Sequence, residues 1–190
     1  MKDTHIAHYA QINKFSNYHG FYDFIVLKYP KWKRFAEIGV WKGQAVVHLA
    51  NLIQARTNAK VYAIDLFDDL WKYKDYAERY KGYHIRHIYE MYQYNIEQAN
   101  VGDIIEDVKG LSCEVVEQFK DRYFDFVFID GDHEYEAVKQ DITDWMPKVK
   151  HGGILAGHDH TKSQQGVIKA ICEIIPNHKH YSGYVWYQEI

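Results

Sequence analysis

Two short runs, "FDFVFI" at 124–129 and "GGILAG" at 152–157, are apolar with almost no polar interruption. A strand reads this way when both of its faces are buried, as in a parallel sheet covered by helices on both sides. The rest of the chain supplies the cover. "RFAEIGV" (34–40) and "KVYAIDLF" (60–67) read as the first two strands, and "DIIEDVKG" (103–110) as a weaker third. "YFDFVFID" (123–130) is the fourth, and "GGILAGHD" (152–159) a fifth introduced by a Gly-Gly turn. Helical patterns lie between them. In "QAVVHLANLIQAR" (44–56), Val46, Val47, Leu49, Ala50 and Ile53 form one stripe. A second helix ends near Asn100, with Ile85, Ile88, Tyr92, Ile96 and Ala99 at core spacing. "SCEVVEQFK" (112–120), "EYEAVKQDITDWMPKV" (134–149, with Val138, Ile142 and Trp145 inward) and "QQGVIKAICEII" (164–175) follow. Strand and helix alternate five times, which predicts parallel strands joined by crossover helices. The last segment, "HKHYSGYVWYQEI" (178–190), reads instead as two strands turning at Ser182-Gly183. The expected fold is α/β: a doubly wound, Rossmann-like, mostly parallel sheet with a C-terminal antiparallel hairpin, in three layers α/β/α.

With 190 residues, 47% of them hydrophobic, the chain can bury a core as a single domain over 1–190. Residues 1–32 read as an N-terminal helical extension, where Phe21, Phe24, Ile25 and Lys28 mark a short amphipathic helix ending near Pro30. Residues 67–100 read as an aromatic-rich insertion and helix. The stretch 71–94, "WKYKDYAERYKGYHIRHIYEMYQY", concentrates many of the seventeen tyrosines and five tryptophans. It reads either as amphipathic cover for the core or as a lid that shapes a substrate pocket. Exposed aromatics would also suit a homodimer. A net charge of -3 makes no electrostatic case for nucleic acid. No run of about 18 apolar residues exists, so no membrane span is expected. The first residues carry no long apolar run, so no signal peptide is expected and a cytoplasmic, reducing setting is the default. Cys113 and Cys172 are far apart without metal-type spacing and read as small core residues.

In a doubly wound sheet the site lies beyond the carboxyl ends of the strands. The first strand delivers Glu37, Gly39 and Gly43 there, the second Asp65, and the third the "VKGLS" turn with Ser112. The fourth delivers Asp130 and His133, and the fifth His158, Asp159 and His160. Asp132 and Glu134 fit the start of the following helix, and His160 reads as a solvated loop histidine. The first turn has the spacing E-x-G-x-x-x-G, with Trp41 and Lys42 where a dinucleotide fingerprint wants small residues. Asp65, ending the second strand, can accept both hydroxyl protons of an adenosine ribose.

Taken together, "FAEIGVWKGQAVVHLA", "VYAIDLF", "FDFVFIDGDHEYEAVKQDI" and "GGILAGHDH" resemble the class I S-adenosylmethionine-dependent methyltransferases. Within them, the chain is similar to a small family with D-G-D-H-x-Y after strand four and H-D after strand five. It is more distantly similar to catechol-type and macrolide-sugar O-methyltransferases. The match covers roughly residues 33–172. The resemblance implies S-adenosyl-L-methionine as cofactor and a hydroxyl of a small molecule, a sugar or a phenol, as acceptor. It implies that Glu37 and Gly39 lie beside the methionine end of the cofactor, that Asp65 holds the ribose hydroxyls, that Leu111 and Ser112 lie along the adenine and that Asp130 faces the sulfonium and the substrate, with Val40, Gly43 and Leu66 also among the cofactor-binding residues. In metal-dependent relatives the strand-four Asp and two residues after strand five hold a divalent ion, Mg²⁺ or Mn²⁺; here these are Asp130, His158 and Asp159. An imidazole ligand shifts metal preference away from Mg²⁺. Either the metal differs, or His158 supports the ligands or serves as a base, or there is no metal; His133 could then act as a metal-free general base. An NAD-dependent oxidoreductase on a related fold, disfavoured by the absent glycine fingerprint, and a non-catalytic cofactor-binding module are the competing functions.

Overall fold

The computed structural model describes residues 18–67, 88–181 and 184–190. Helix α1 (His19–Lys28) leads into β1 (Arg34–Ile38), α2 (Gln44–Ile53) and β2 (Lys60–Asp65). Then come α3 (Ile88–Ala99), β3 (Ile105–Lys109), the single turn α4 (Ser112–Val115), β4 (Phe124–Ile129) and α5 (Tyr135–Trp145). Strand β5 (Val149–Gly157), α6 (Gln165–Ile174), β6 (Lys179–His180) and β7 (Trp186–Glu189) complete the chain. The sheet order is β3-β2-β1-β4-β5-β7-β6. The first five of these pair in parallel, while β7 is antiparallel to both β5 and β6. This is the expected doubly wound sheet with its terminal hairpin. The chain starts at the centre on β1, runs outward to β3, then returns to β4 on the other side. That reversal opens a crevice between the carboxyl ends of β1 and β4.

Side-chain alternation builds the layers. Phe126 and Phe128 of β4 face a core that includes Phe21, Tyr22 and Ile25 of α1, Val46 and Leu49 of α2, and Tyr92 and Ile96 of α3. Val127 and Ile129 face the opposite core, with Val138, Ile142 and Trp145 of α5 and Val167 and Ile171 of α6. The predicted inward stripes on α2 and α5 are thus buried as read, and so are Ile88, Tyr92, Ile96 and Ala99 of α3, while Ile85 lies outside the described residues. Among the described residues no helix is long and apolar enough to cross a membrane.

Four local readings change. Helix α1 buries Phe21, Tyr22, Ile25 and Val26, whereas Phe24 is only half-buried and Lys28 exposed. The helix expected over 112–120 is one α turn followed by a 3-10 turn over Val116–Gln118, just long enough to bury Val115 and Val116. The Gly-Gly pair does not introduce β5 but lies inside it, at a register shift opposite Phe124 and Phe126. Gly152 has φ 77, and a Cβ on Gly153 would come within 2.8 Å of the Asp125 carbonyl oxygen, so this bulge needs both glycines. Cys113 and Cys172 are free but exposed, because each lies on the outer face of a helix whose inner face is already filled by valine, alanine and isoleucine. The N-terminal residues 1–17, the aromatic stretch 71–87 and the turn residues Ser182 and Gly183 lie outside the described residues.

Candidate functional site

The turns after β1 and β2 are held together by one carboxylate. Asp65, the last residue of β2, accepts the Val40 and Trp41 N–H groups on Oδ2, at 2.8 and 2.9 Å. Its Oδ1 accepts the Phe67 N–H at 2.7 Å. Trp41 and Phe67 both have φ 50, a left-handed conformation that bulky residues seldom adopt. Asp65 therefore holds two strained turns in place with the same side chain. Its enclosure raises its pKa, against the pull of the backbone N–H groups. Gly39, at φ 83, lies so close to β4 that an added Cβ would collide with the Asp130 carbonyl. Gly43 is the residue immediately before α2.

Glu37 is fully buried beneath this turn. Tyr22 donates to its Oε2 at 2.7 Å. The Tyr18 hydroxyl faces two carboxyl groups, Oδ2 of Asp130 at 2.7 Å and Oε1 of Glu37 at 3.3 Å. A single phenolic proton serves one of them at a time, and the shorter contact is to Asp130. Burial pushes the Glu37 carboxyl up to about 8, although the tyrosine hydrogen bonds oppose the shift. Burial and the adjacent carboxylates raise both phenols well above their ordinary value, so they remain donors at neutral pH.

The ends of β4 and β5 carry the rest. Nδ1 of the buried His158 lies 3.5 Å from Asp130 Oδ1 and 3.3 Å from Asp159 Oδ2. Nε2 of His133 lies 2.7 Å from the same Asp159 oxygen. Burial opposes charge on His158, but the two carboxylates overcome it and raise its pKa to about 9. Burial likewise acts to raise Asp159, yet His133 and His158 hold it well below the usual carboxylate range. The hydrogen bond to Asp159 raises His133, and burial raises Asp130 despite His158. Asp130, His133, His158 and Asp159 line a small cleft with Ile129, Gly131 and Val138. A larger hollow of about 500 Å³, lined by Tyr92, Ile96 and Asp107, opens on the β3 edge away from this cluster.

The structure brings together Glu37, Gly39, Val40, Asp65, Asp130, His133, His158 and Asp159 at the carboxyl edge of β1, β2, β4 and β5. Leu111 and Ser112 sit at the start of α4. The Ser112 hydroxyl is engaged by Asp141 of α5, a buried carboxyl raised by burial to about 7. Asp132 accepts the Glu134 N–H at 3.0 Å and so shapes the turn before α5. His160 is not a solvated loop residue: its Nε2 is buried and has no hydrogen-bond partner. Sequence reasoning missed Tyr18, Tyr22 and Asp141. The four-residue spacing of Tyr18 and Tyr22, which puts them on one helical face, was the available signal.

The arrangement suits a cationic ligand. Both hydrogen-bond partners of Glu37 among the described residues are neutral tyrosines, so an ammonium or sulfonium would find an uncompensated acid there. The donor atoms of Asp130, His133 and Asp159 lie within 4.8 Å of one another, close enough for a divalent ion. A mixed carboxylate and imidazole set fits Mn²⁺ or a later transition metal better than Mg²⁺.

A family model described as a methyltransferase domain matches residues 36–160. No curated protein sequence matches the chain. Among solved structures, the O-methyltransferase NovP superposes with a TM-score of 0.71 at 18% identity, over 91% of this chain and 77% of its own. An O-methyltransferase from Bacillus cereus, in complex with SAH, gives 0.67 at 18% identity over 98% and 91%. CalS11, a TDP-rhamnose 3'-O-methyltransferase, gives 0.59 at 15% identity over 90% and 77%. At these identities the likeness establishes a shared fold.

Proposed function

The chain belongs to the methyltransferase-domain family, and from that premise we propose that it transfers the methyl group of S-adenosyl-L-methionine to a hydroxyl of a small molecule, a sugar or a phenol. The observation that carries this reading is the convergence of Glu37, Asp130, His133, His158 and Asp159 on the crevice between β1 and β4. Family membership favours this chemistry over the oxidoreductase reading. The hydroxyl acceptor follows the activity of neighbours such as the TDP-rhamnose 3'-O-methyltransferase.

When bound, S-adenosyl-L-methionine supplies an electrophilic methyl group on a sulfonium, which takes the electrons of the broken S–C bond as it leaves as a neutral thioether. The chain does the positioning, which accounts for much of the rate in an in-line displacement. Glu37 receives the methionine-end ammonium, with Tyr22 fixing its carboxyl. Asp65 keeps the Gly39–Trp41 turn in shape at the place where the ribose is held. Leu111 and Ser112 lie along the adenine. Asp130, oriented by Tyr18 and His158, stands beside the sulfonium. His133, held at Nε2 by Asp159, takes the acceptor proton as the oxygen attacks. A divalent ion would be held by Asp130, Asp159 and a neighbouring imidazole, His133 or His158, and would gather acceptor oxygens and lower their pKa.

The test is formation of S-adenosylhomocysteine from S-adenosyl-L-methionine in the presence of phenols or nucleotide sugars, with Mn²⁺, Mg²⁺ or a chelator. Acceptor-dependent turnover is the expected result. Binding of S-adenosylhomocysteine with no turnover on any acceptor would leave only a cofactor-binding module, and absence of binding would overturn the reading.

A further inference from the structure

Three histidines meet outside the site described above. His160 lies on the loop after β5, His178 just before β6, and His180 within β6. Their ring centroids are 4.4 to 5.1 Å apart, and their ligand nitrogens all lie within 4.8 Å of one another. Nδ1 of His178 lies 2.9 Å from the Ile175 carbonyl oxygen, so that nitrogen must carry the proton and Nε2 keeps its lone pair. A metal-binding imidazole is oriented in this way, by a hydrogen bond from its other nitrogen to a backbone carbonyl. Nε2 of His160 is buried without any hydrogen-bond partner, a cost that a bound cation would remove. His180 is exposed and leaves a path by which an ion can enter.

We propose that His160, His178 and His180 form a second metal site, separate from the Asp130–His133–Asp159 group, which binds a divalent ion of borderline softness such as Zn²⁺. Three imidazoles with a water in the fourth position are a tetrahedral zinc set, and side-chain shifts of roughly an ångström would bring each nitrogen to the usual Zn–N length of about 2.0–2.1 Å. Burial and the neighbouring rings hold His160 and His180 below the ordinary imidazole value, which keeps their lone pairs free. The absence of a carboxylate from the set selects against Mg²⁺ and Ca²⁺. The ion would clamp the loop after β5 to the terminal hairpin. That loop is already tied to the hairpin by the His160 N–H donating to the Tyr184 carbonyl at 3.0 Å, and it carries His158 and Asp159. Occupancy would therefore steady the acidic cluster from outside.

The experiment uses the full chain, stripped with a chelator and dialysed. Zn²⁺ is titrated in competition with a chromophoric chelator, Co²⁺ absorption in the visible range reports tetrahedral nitrogen ligation, and circular dichroism confirms folding. His180→Ala, at an exposed position, and His178→Gln should each remove one equivalent of Zn²⁺ or weaken it at least tenfold, and abolish the Co²⁺ bands. Asp159→Asn should leave that equivalent in place. Wild-type and both histidine variants binding Zn²⁺ with equal stoichiometry and affinities within threefold would overturn the proposal. So would loss of the same equivalent in Asp159→Asn but not in His180→Ala.

Discussion

The two edges of the sheet share a backbone feature and use it differently. Among the described residues, three non-glycine positions with positive φ lie at the amino edge: Asn58 before β2, Asn100 before β3 and Arg122 before β4. Three more lie at the carboxyl edge: Trp41 after β1, Phe67 after β2 and Asp159 after β5. At the amino edge two of the three are asparagines, which tolerate this region because a short polar side chain can bond locally. At the carboxyl edge two of the three are large aromatics, Trp41 and Phe67, whose N–H groups Asp65 accepts, and the third, Asp159, is paired with His133 and His158. At the amino edge two asparagines turn the chain at little cost. At the carboxyl edge Trp41 and Phe67 are held in costly conformations, which places backbone and acid groups around the crevice.

If the carboxyl edge is the working edge, changes there should cost activity out of proportion to stability. Asp130→Asn should show the largest effect, a fall in methyl transfer of about 10³-fold or more, with the fold retained. Initial rates of S-adenosylhomocysteine formation measure it, and a loss below tenfold would remove Asp130 from the reacting centre. Asp65→Ala comes next. It leaves three backbone N–H groups without their acceptor and should destabilise by about 3 kcal/mol in urea unfolding, with weaker S-adenosylhomocysteine binding. Weaker binding at unchanged stability would mean that Asp65 serves the ligand alone and not the turns.

Glu37 gives a pH test. Its folded pKa of about 8 lies above its unfolded value, so the folded state holds a proton that the unfolded chain releases. Its contribution is complete below pH 4.5 and is lost as pH rises toward 8. Glu37→Gln should flatten that decline and make the protein more stable than wild type at pH 8, by on the order of 1 kcal/mol or more. Parallel pH–stability curves for the two proteins would contradict it. A cationic ligand at Glu37 should also drive off the proton. Calorimetry of S-adenosyl-L-methionine binding near pH 7 in buffers of different ionisation enthalpy should then report proton release. The smallest effect belongs to the amino edge. Arg122→Gly should leave turnover within twofold and stability unchanged or raised by about 0.5–1 kcal/mol, because glycine relieves the left-handed strain.

Much of this was legible from the chain. Uninterrupted apolar runs reported strands buried on both faces, helical stripes such as Val46, Val47, Leu49, Ala50 and Ile53 reported the covering layers, and the polar residues at or just past the strand ends pointed to Glu37, Asp65, Asp130 and Asp159. These are properties of single elements, since periodicity states which face is buried and alternation states which end faces the crevice. The misreadings came from contacts between elements. Cys113 and Cys172 looked like core residues because cysteine is a small hydrophobe, but only packing reveals that their helices had already filled the inner face. Tyr18 and Tyr22 reached Glu37 and Asp130 because α1 docks over β1 and β4. Nε2 of His160 left solvent because the terminal hairpin brings His178 and His180 beside the loop after β5. Residues 18 and 130, or 160 and 178, share no local pattern. Their meeting is decided by the packing of whole helices and strands, where burial of apolar faces sets the positions and the polar groups are carried along.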